Sequence, residues 1–366
     1  MAYTTINKSS EYFNTVTYAG NSSATQSITG VNFQPDFVWI KQRNLAYSHI
    51  LFDAIRGVGK NLQSSGTAAE ETNNSVGYLS AFDSDGFTVS QGSSSGDRVN
   101  GAYNYVSWNW LANGSGVSNT DGSTTSTVSA NQTSGFSIVK WVGVNTTVGH
   151  GLNAVPEMII VKNTDDATNW FVYHKTLGNN KFINLNLSSA ETTSSNQWNS
   201  TSPTSSVFTV GSDFNNANYI AYCFAEKKGF SKIGSYTGNG NADGTFVYTG
   251  FKPAFVLLKN YGAAGDSWQL HDNKRLGYNV DNNILFPNTS GTESTADVID
   301  ILSNGFKLRT TASGWNSSGG SYIYMCFAEN PFVTSTSIPC TARWFVQIQI
   351  VIKKLLEEDQ MLILVL

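Results

Sequence analysis

Apolar positions return in one arrangement three times along this chain. Phe33-Gln-Pro-Asp-Phe-Val-Trp-Ile-Lys41 is matched by Ala154-Val-Pro-Glu-Met-Ile-Ile-Val-Lys162 and again by Phe251-Lys-Pro-Ala-Phe-Val-Leu-Leu-Lys259. Each copy sets a proline two residues ahead of an apolar run that stops at a lysine. Proline fixes φ and donates nothing to a ladder, so it belongs where a strand begins. The unbroken run predicts a strand buried on both faces, and the lysine predicts its return to water. The rest of the repeat follows in constant order. An aromatic segment ends in glycine (His49 to Gly57, Trp170 to Gly178, Trp268 to Gly277), then an acid sits in a polar loop (Glu70, Glu191, Glu293). A short strand follows (Gly86 to Val89, Val207 to Val210, Gly305 to Leu308), and an aromatic strand closes each copy: Asn104 to Trp110, Asn218 to Phe224, Ser321 to Phe327. A fixed order at near-constant spacing means repeated structural units.

Short strands with turn signals and no capped helix-period segments predict an all-β chain of three tandem antiparallel β-sandwich modules, jelly-roll or lectin-like. The expected organisation is a polar leader over 1–11, module one over 12–112, a Ser/Thr/Gly-rich flexible linker over 113–134, module two over 135–230 and module three over 231–332. No spacer separates modules two and three, which predicts an interface between them. The texture changes over 333–366. After Pro339-Cys-Thr-Ala-Arg343, the stretch from Trp344 to Leu366 first alternates like a strand and is broken too often by charge for a membrane span. It reads either as a reading-frame or gene-boundary artefact, or as an extra element docking a neighbouring subunit.

Composition narrows the function. Charged residues are 13% of the chain, about half the usual share of roughly 25%. A formal net charge of -4 and the lack of a Lys/Arg cluster argue against nucleic acid, whose phosphates demand a basic footprint. Met1-Ala-Tyr-Thr-Thr-Ile-Asn-Lys8 lacks the apolar core of a signal peptide, which predicts synthesis and assembly in a cytoplasm without membrane insertion. Cys223 and Cys326 occupy equivalent positions in separate modules, so they are expected to be buried free thiols.

Candidate chemistry is sparse. Gly92-Ser-Ser-Ser-Gly96 has the letters of a nucleophile elbow without the helix that must follow, and Gly57-Val-Gly-Lys60 lacks the first glycine and the Ser/Thr of a phosphate loop. Asn239-Gly-Asn-Ala-Asp-Gly244 begins like a calcium loop but has Gly250 where the glutamate belongs, and an Asp-Gly hairpin turn is the better reading. No metal or cofactor is expected. Asp53 with Arg56, Asp272 with Arg275, and Glu70, Glu191 and Glu293 recur as module features, which favours structural ion pairs over the specialised carboxylate pair of a glycosidase. His49, His150, His174 and His271 lack metal-ligand spacing. Trp39, Trp108, Trp110, Trp170 and Trp268 fall on repeat strands and are expected in cores. Trp198-Asn199 and Trp315-Asn316 sit in polar loops. An exposed ring beside an amide suits a sugar, so these four residues are the carbohydrate-binding candidates.

With those residues in hand, the chain resembles a family of bacteriophage structural proteins, frequent in marine phages, assembled from lectin-like β-sandwich repeats. The resemblance rests on Gly30 to Lys41, Phe52-Asp-Ala-Ile-Arg-Gly57, Gly149-His-Gly-Leu152, Gly234-Ser-Tyr-Thr-Gly-Asn-Gly240, Ser303 to Arg309 and Tyr322 to Phe332. It spans residues 12–343, with the tail beyond departing from the pattern, and brings no catalytic residues. It implies a non-enzymatic virion protein, a tail fibre or surface appendage that attaches to a host cell-surface glycan, with other virion proteins as partners and a homo-oligomer, such as a trimer, as the assembly. The alternatives are a capsid decoration or cement protein, and a glycan depolymerase.

Overall fold

The computed structural model describes residues 4–331, apart from 73, 95–96, 276–278 and 280–282. Residues 332–366, with Cys340 and the alternating stretch from Trp344, lie outside the described residues. Among the described residues the chain is all-β, with one single-turn α-helix at Ser313–Asn316 and two short 3-10 turns.

Three large antiparallel sheets share one strand order. The first runs Phe13–Ala19, Asn104–Trp110, Phe37–Gln42, Ile50–Asp53; the second runs Phe136–Val142, Asn218–Phe224, Met158–Asn163, Phe171–His174; the third runs Ser231–Thr237, Ser321–Ala328, Pro253–Asn260, Gln269–Asp272. In each, the aromatic closing strand lies between the opening strand and the proline-led strand. We refer to the three arrangements as units one, two and three.

Both faces of each proline-led strand are buried, for two different reasons. Alternate residues point outward into a core of the unit's own: Val38 and Ile40 meet Ile28, Phe87 and Val89 of a small sheet. Ile159 and Val161 do the same in unit two, and Val256 and Leu258 in unit three. The intervening residues, Phe37 and Trp39, Met158 and Ile160, Phe255 and Leu257, enter one common core to which every unit contributes. The units are therefore packed around a centre, and all three share interfaces. At that centre the rings of Trp110, Phe224 and Phe327, which end the three closing strands, form a triangle with centroid separations of 6.3, 5.9 and 6.1 Å.

Backbone contacts close the ring. The Glu70 N–H donates to the Thr164 carbonyl, that of Glu191 to Tyr261, and that of Glu293 to Arg43, each at 2.9 Å. Unit one thus grips two, two grips three, and three grips one, the pattern of a pseudo-threefold axis.

Three sequence expectations are corrected. Residues 113–134 form two strands, Val117–Asn119 and Ser126–Asn131, that extend the second large sheet beyond its opening strand. Their Ser and Thr residues suit a ladder, and Val128 is buried in the core of unit two. The leader 1–11 is anchored: Ile6 is fully buried in the common core, and Ser9–Glu11 form a 3-10 turn. The lysines that close the apolar runs, next to last in the proline-led strands, stay inside. Lys41, Lys162 and Lys259 are each 0% exposed, since their inward-facing position meets a neighbouring unit rather than water. Cys223 and Cys326 are buried and free, as expected.

Candidate functional site

The four carbohydrate candidates are not brought together, and only one of them is exposed. Trp198 is 1% exposed within the core of unit two. Its ring packs at 5.8 Å from both Tyr173 and Phe214, and Nε1 donates to the Lys181 carbonyl at 3.0 Å. Trp315 is half-buried against the core of unit three, with Nε1 on His271 Nε2 at 3.2 Å. Asn316 is fully buried, and its Nδ2 is spent on Asn239 Oδ1, the Asn241 carbonyl and the Thr310 carbonyl. Asn199 is exposed, in a turn at φ 49°. A polar flank does not expose a ring that closes the open end of its own sandwich. Trp198→Ala is accordingly expected to cost about 3–5 kcal/mol of stability, the usual range for emptying a core site of this size. Urea denaturation measures this, and a midpoint equal to that of the unaltered protein would count against it.

The repeated acids fasten the units. Asp53 accepts from Arg56 Nε at 2.5 Å and from the Tyr222 hydroxyl of unit two at 2.8 Å. Asp272 accepts from Arg275 Nε at 2.7 Å and from Trp108 Nε1 of unit one at 3.0 Å. In unit two the same two positions carry His174 and Leu177, and the facing position of unit three carries Met325 rather than an aromatic donor. Burial pushes the Asp272 carboxyl up, yet Arg275 and the backbone N–H groups of Lys274 and Arg275 together hold it below its ordinary value. Burial, then the Asp53 charge, push the Tyr222 hydroxyl well up. Glu293 takes a two-pronged contact from Arg43 Nε and Nη2 at 2.9 and 2.7 Å, and a third from Arg275 at 3.0 Å. Glu70 faces Lys60 at 3.2 Å and Glu191 faces Lys181 at 2.5 Å. Trp170 and Trp268 likewise donate across units, to the carbonyls of Gln63 and Asn184, each at 2.9 Å.

The three buried lysines bond backbone carbonyls. Lys41 Nζ reaches the Gln42 oxygen at 2.5 Å, Lys162 that of Asn163 at 2.7 Å, and Lys259 those of Asn260 and Asp266 at 2.8 and 2.7 Å. Burial lowers each ammonium to a pKa of about 8. They pin the loops that follow their strands.

All four histidines are buried. Burial lowers each imidazole, to about 3 for His174 and His271. The unfolded chain therefore binds more protons than the folded one at pH values below the ordinary histidine value of 6.5. Stability from these groups is complete above that value and is lost as pH falls towards 3. Asp36 opposes the trend, because burial raises it to about 6, against the N–H groups of Ala112 and Gly114. Burial also raises the Glu157 carboxyl, and two carboxyls do not offset four imidazoles. The urea midpoint is expected to fall steadily between about pH 6.5 and 4, and a flat profile across that window would refute the assignment.

Two surface features escaped the sequence reading. Phe246 and Tyr248, 44% and 62% exposed, alternate with buried Val247 on an edge strand of unit three. Strict alternation around a valine was the signal. At one tip of unit one lies a cleft of about 350 Å³ lined by Ala19, Gly20, Asn44, Ala102, Tyr103 and Asn104. No signal within unit one's own sequence marks it. Among the described residues, no group of three or more His, Cys, Asp or Glu side chains is placed to hold a metal ion.

No curated protein and no solved structure matches this chain. The profile of one family matches residues 8–331, a span that takes in all three units and leaves the tail outside. The family domain thus coincides with the whole ring of units. This chain belongs to DUF7483, a family described as a domain of unknown function.

Proposed function

We propose that this chain is a non-enzymatic structural protein of a bacteriophage virion, a tail fibre or other surface appendage whose outward tips touch a host-surface glycan. One observation carries the reading: the acids that recur from unit to unit and the four histidines are consumed in holding the body together. Asp53 and Asp272 are neutralised by arginines, and the four histidines are buried. A depolymerase would need two carboxyls facing one sugar about 5 to 9 Å apart, which these ion pairs do not offer. A rigid, ring-closed body with polar loops suits contact, and a homotrimer of such bodies would gain avidity from linked weak sites.

The capsid-decoration reading draws support from the pseudo-threefold centre, since a body of that symmetry can sit on a threefold point of a lattice. Gold-labelled antibody against the chain, applied to intact particles and viewed by electron microscopy, separates the two. Label on a tail or appendage supports attachment, label spread over the head supports decoration, and unlabelled particles reject both.

A further inference from the structure

We propose that the cleft at the tip of unit one binds a single uncharged sugar residue, with the Tyr103 ring as its platform and the Asn44 and Asn104 amides as partners for its hydroxyls. The proposal rests on the attachment reading and names the site and ligand class within it.

The cleft is built from small and polar groups around one ring. Ala19, Gly20 and Ala102 leave room, and its volume of about 350 Å³ sits at the small end of the range for ligand sites. The backbone holds both asparagines in place: the Asn104 N–H donates to Asn44 Oδ1 at 2.8 Å, and the Arg43 N–H donates to the Asn104 carbonyl at 2.8 Å. Asn44 Nδ2 and the Asn104 side-chain amide then have no partner among the described residues, and both residues are exposed. No lining residue is charged, so an anion or cation has nothing to pair with. A sugar offers what the cleft asks for, an apolar C–H face for the ring and hydroxyls that both give and accept hydrogen bonds.

The other units show what this tip looks like when it is closed. In unit two, Asp165 stands for Asn44 and Asn218 for Asn104, with the same backbone bond, from the Asn218 N–H to Asp165 Oδ2 at 2.8 Å. There the Asn218 amide folds back onto Asp165, and Ala217 replaces the tyrosine. Asn215, where unit one has Gly101, fills the tip by bonding both Asn163 and Asp166. In unit three the ring position is Gly320 and the two amide positions are Gly262 and Ser321.

A second observation points the same way. Asn163 and Asn260 end their proline-led strands with side-chain amides bonded to Asp166 and Asp266. Their counterpart Gln42 is fully buried, unit one has Leu45 where unit two has Asp166, and the Gln42 amide turns instead to the Tyr105 hydroxyl. Gln42 lies opposite Tyr105 in the ladder, and Tyr105 lies so close to Gly20 that a Cβ there would come within 2.8 Å of its ring. Unit one therefore lacks the amide-to-carboxylate contact that closes this tip in its relatives.

Saturation-transfer NMR on the full chain, with the methyl glycosides of glucose, galactose, mannose and N-acetylglucosamine as probes, tests the site. Transfer to at least one glycoside is expected, weakened about tenfold or more by Tyr103→Ala, as for a ring at the centre of a contact. Ala102→Phe, at an exposed position, should block the cleft equally while leaving the urea midpoint unchanged. Transfer that survives Ala102→Phe, or that disappears instead with Tyr248→Ala, would overturn the proposal. If no glycoside shows transfer while the label is found on tails, this inference falls and the attachment reading stands. If transfer follows the expected pattern and the particles carry no label, the virion reading falls and the sugar site stands.

Discussion

Arg56→Leu alone is expected to cost about 3–5 kcal/mol, the range for stranding one member of a buried pair, and the cost should shrink when more of unit two is copied into unit one. Asp53 and Arg56 are almost fully buried, and Asp53 also holds the Tyr222 hydroxyl across the unit boundary. Removing the guanidinium leaves a carboxylate with only two neutral donors, the Tyr222 hydroxyl and the backbone N–H of residue 56, in a dry interface. Unit two solves the same site without charge, using His174 and Leu177 opposite Met325, with Leu177 packed into the common core. The triple variant Arg56→Leu, Asp53→His, Tyr222→Met rebuilds that solution at the boundary between units two and one. Its loss in urea denaturation should therefore be clearly smaller than the sum of the three single losses, because neighbours in one network are not additive. A triple-variant loss equal to that sum, or larger, would mean that the apolar version is not interchangeable with the ionic one.

Much of this fold was legible before the coordinates. The proline-led runs, the closing strands and the recurring acids fall where the repeat put them, and the five strand tryptophans are buried. The same runs also held a clue to the ring of units. A single sandwich covers only one face of each sheet, so strands apolar on both faces need a third layer, and that layer is the other units. What remained hidden depended on which neighbour covers a residue. Lys41 closes its apolar run in sequence as a solvent-facing lysine would, yet its inward parity places it beside unit three. The segment 113–134 has the composition of a linker, and only the open edge of the second sheet makes it strand. Trp198 and Tyr103 show the limit for sites. Both are followed by asparagine, Asn199 and Asn104, but the first closes its own core while the second lines a cleft.

Trp110→Ala is the substitution expected to disturb the whole molecule at once. Its ring meets Phe13, Phe37 and Phe136 as well as Phe224 and Phe327, so it touches all three units at the centre. Truncation should cost about 3–5 kcal/mol. Because each large sheet has one face in the common core, a unit that opens exposes the inner faces of the other two. Unfolding should then be one transition, seen at the same urea concentration by tryptophan fluorescence and by far-ultraviolet circular dichroism, in the unaltered chain and in the variant alike. Phe224→Ala and Phe327→Ala, from different units, should lower that single midpoint rather than split it. Beads joined by linkers would behave otherwise, losing one unit while two persist. Two resolved steps in any of these chains would show that the outer cores alone hold each unit, and that the aromatic centre is a contact between finished bodies rather than part of their folding.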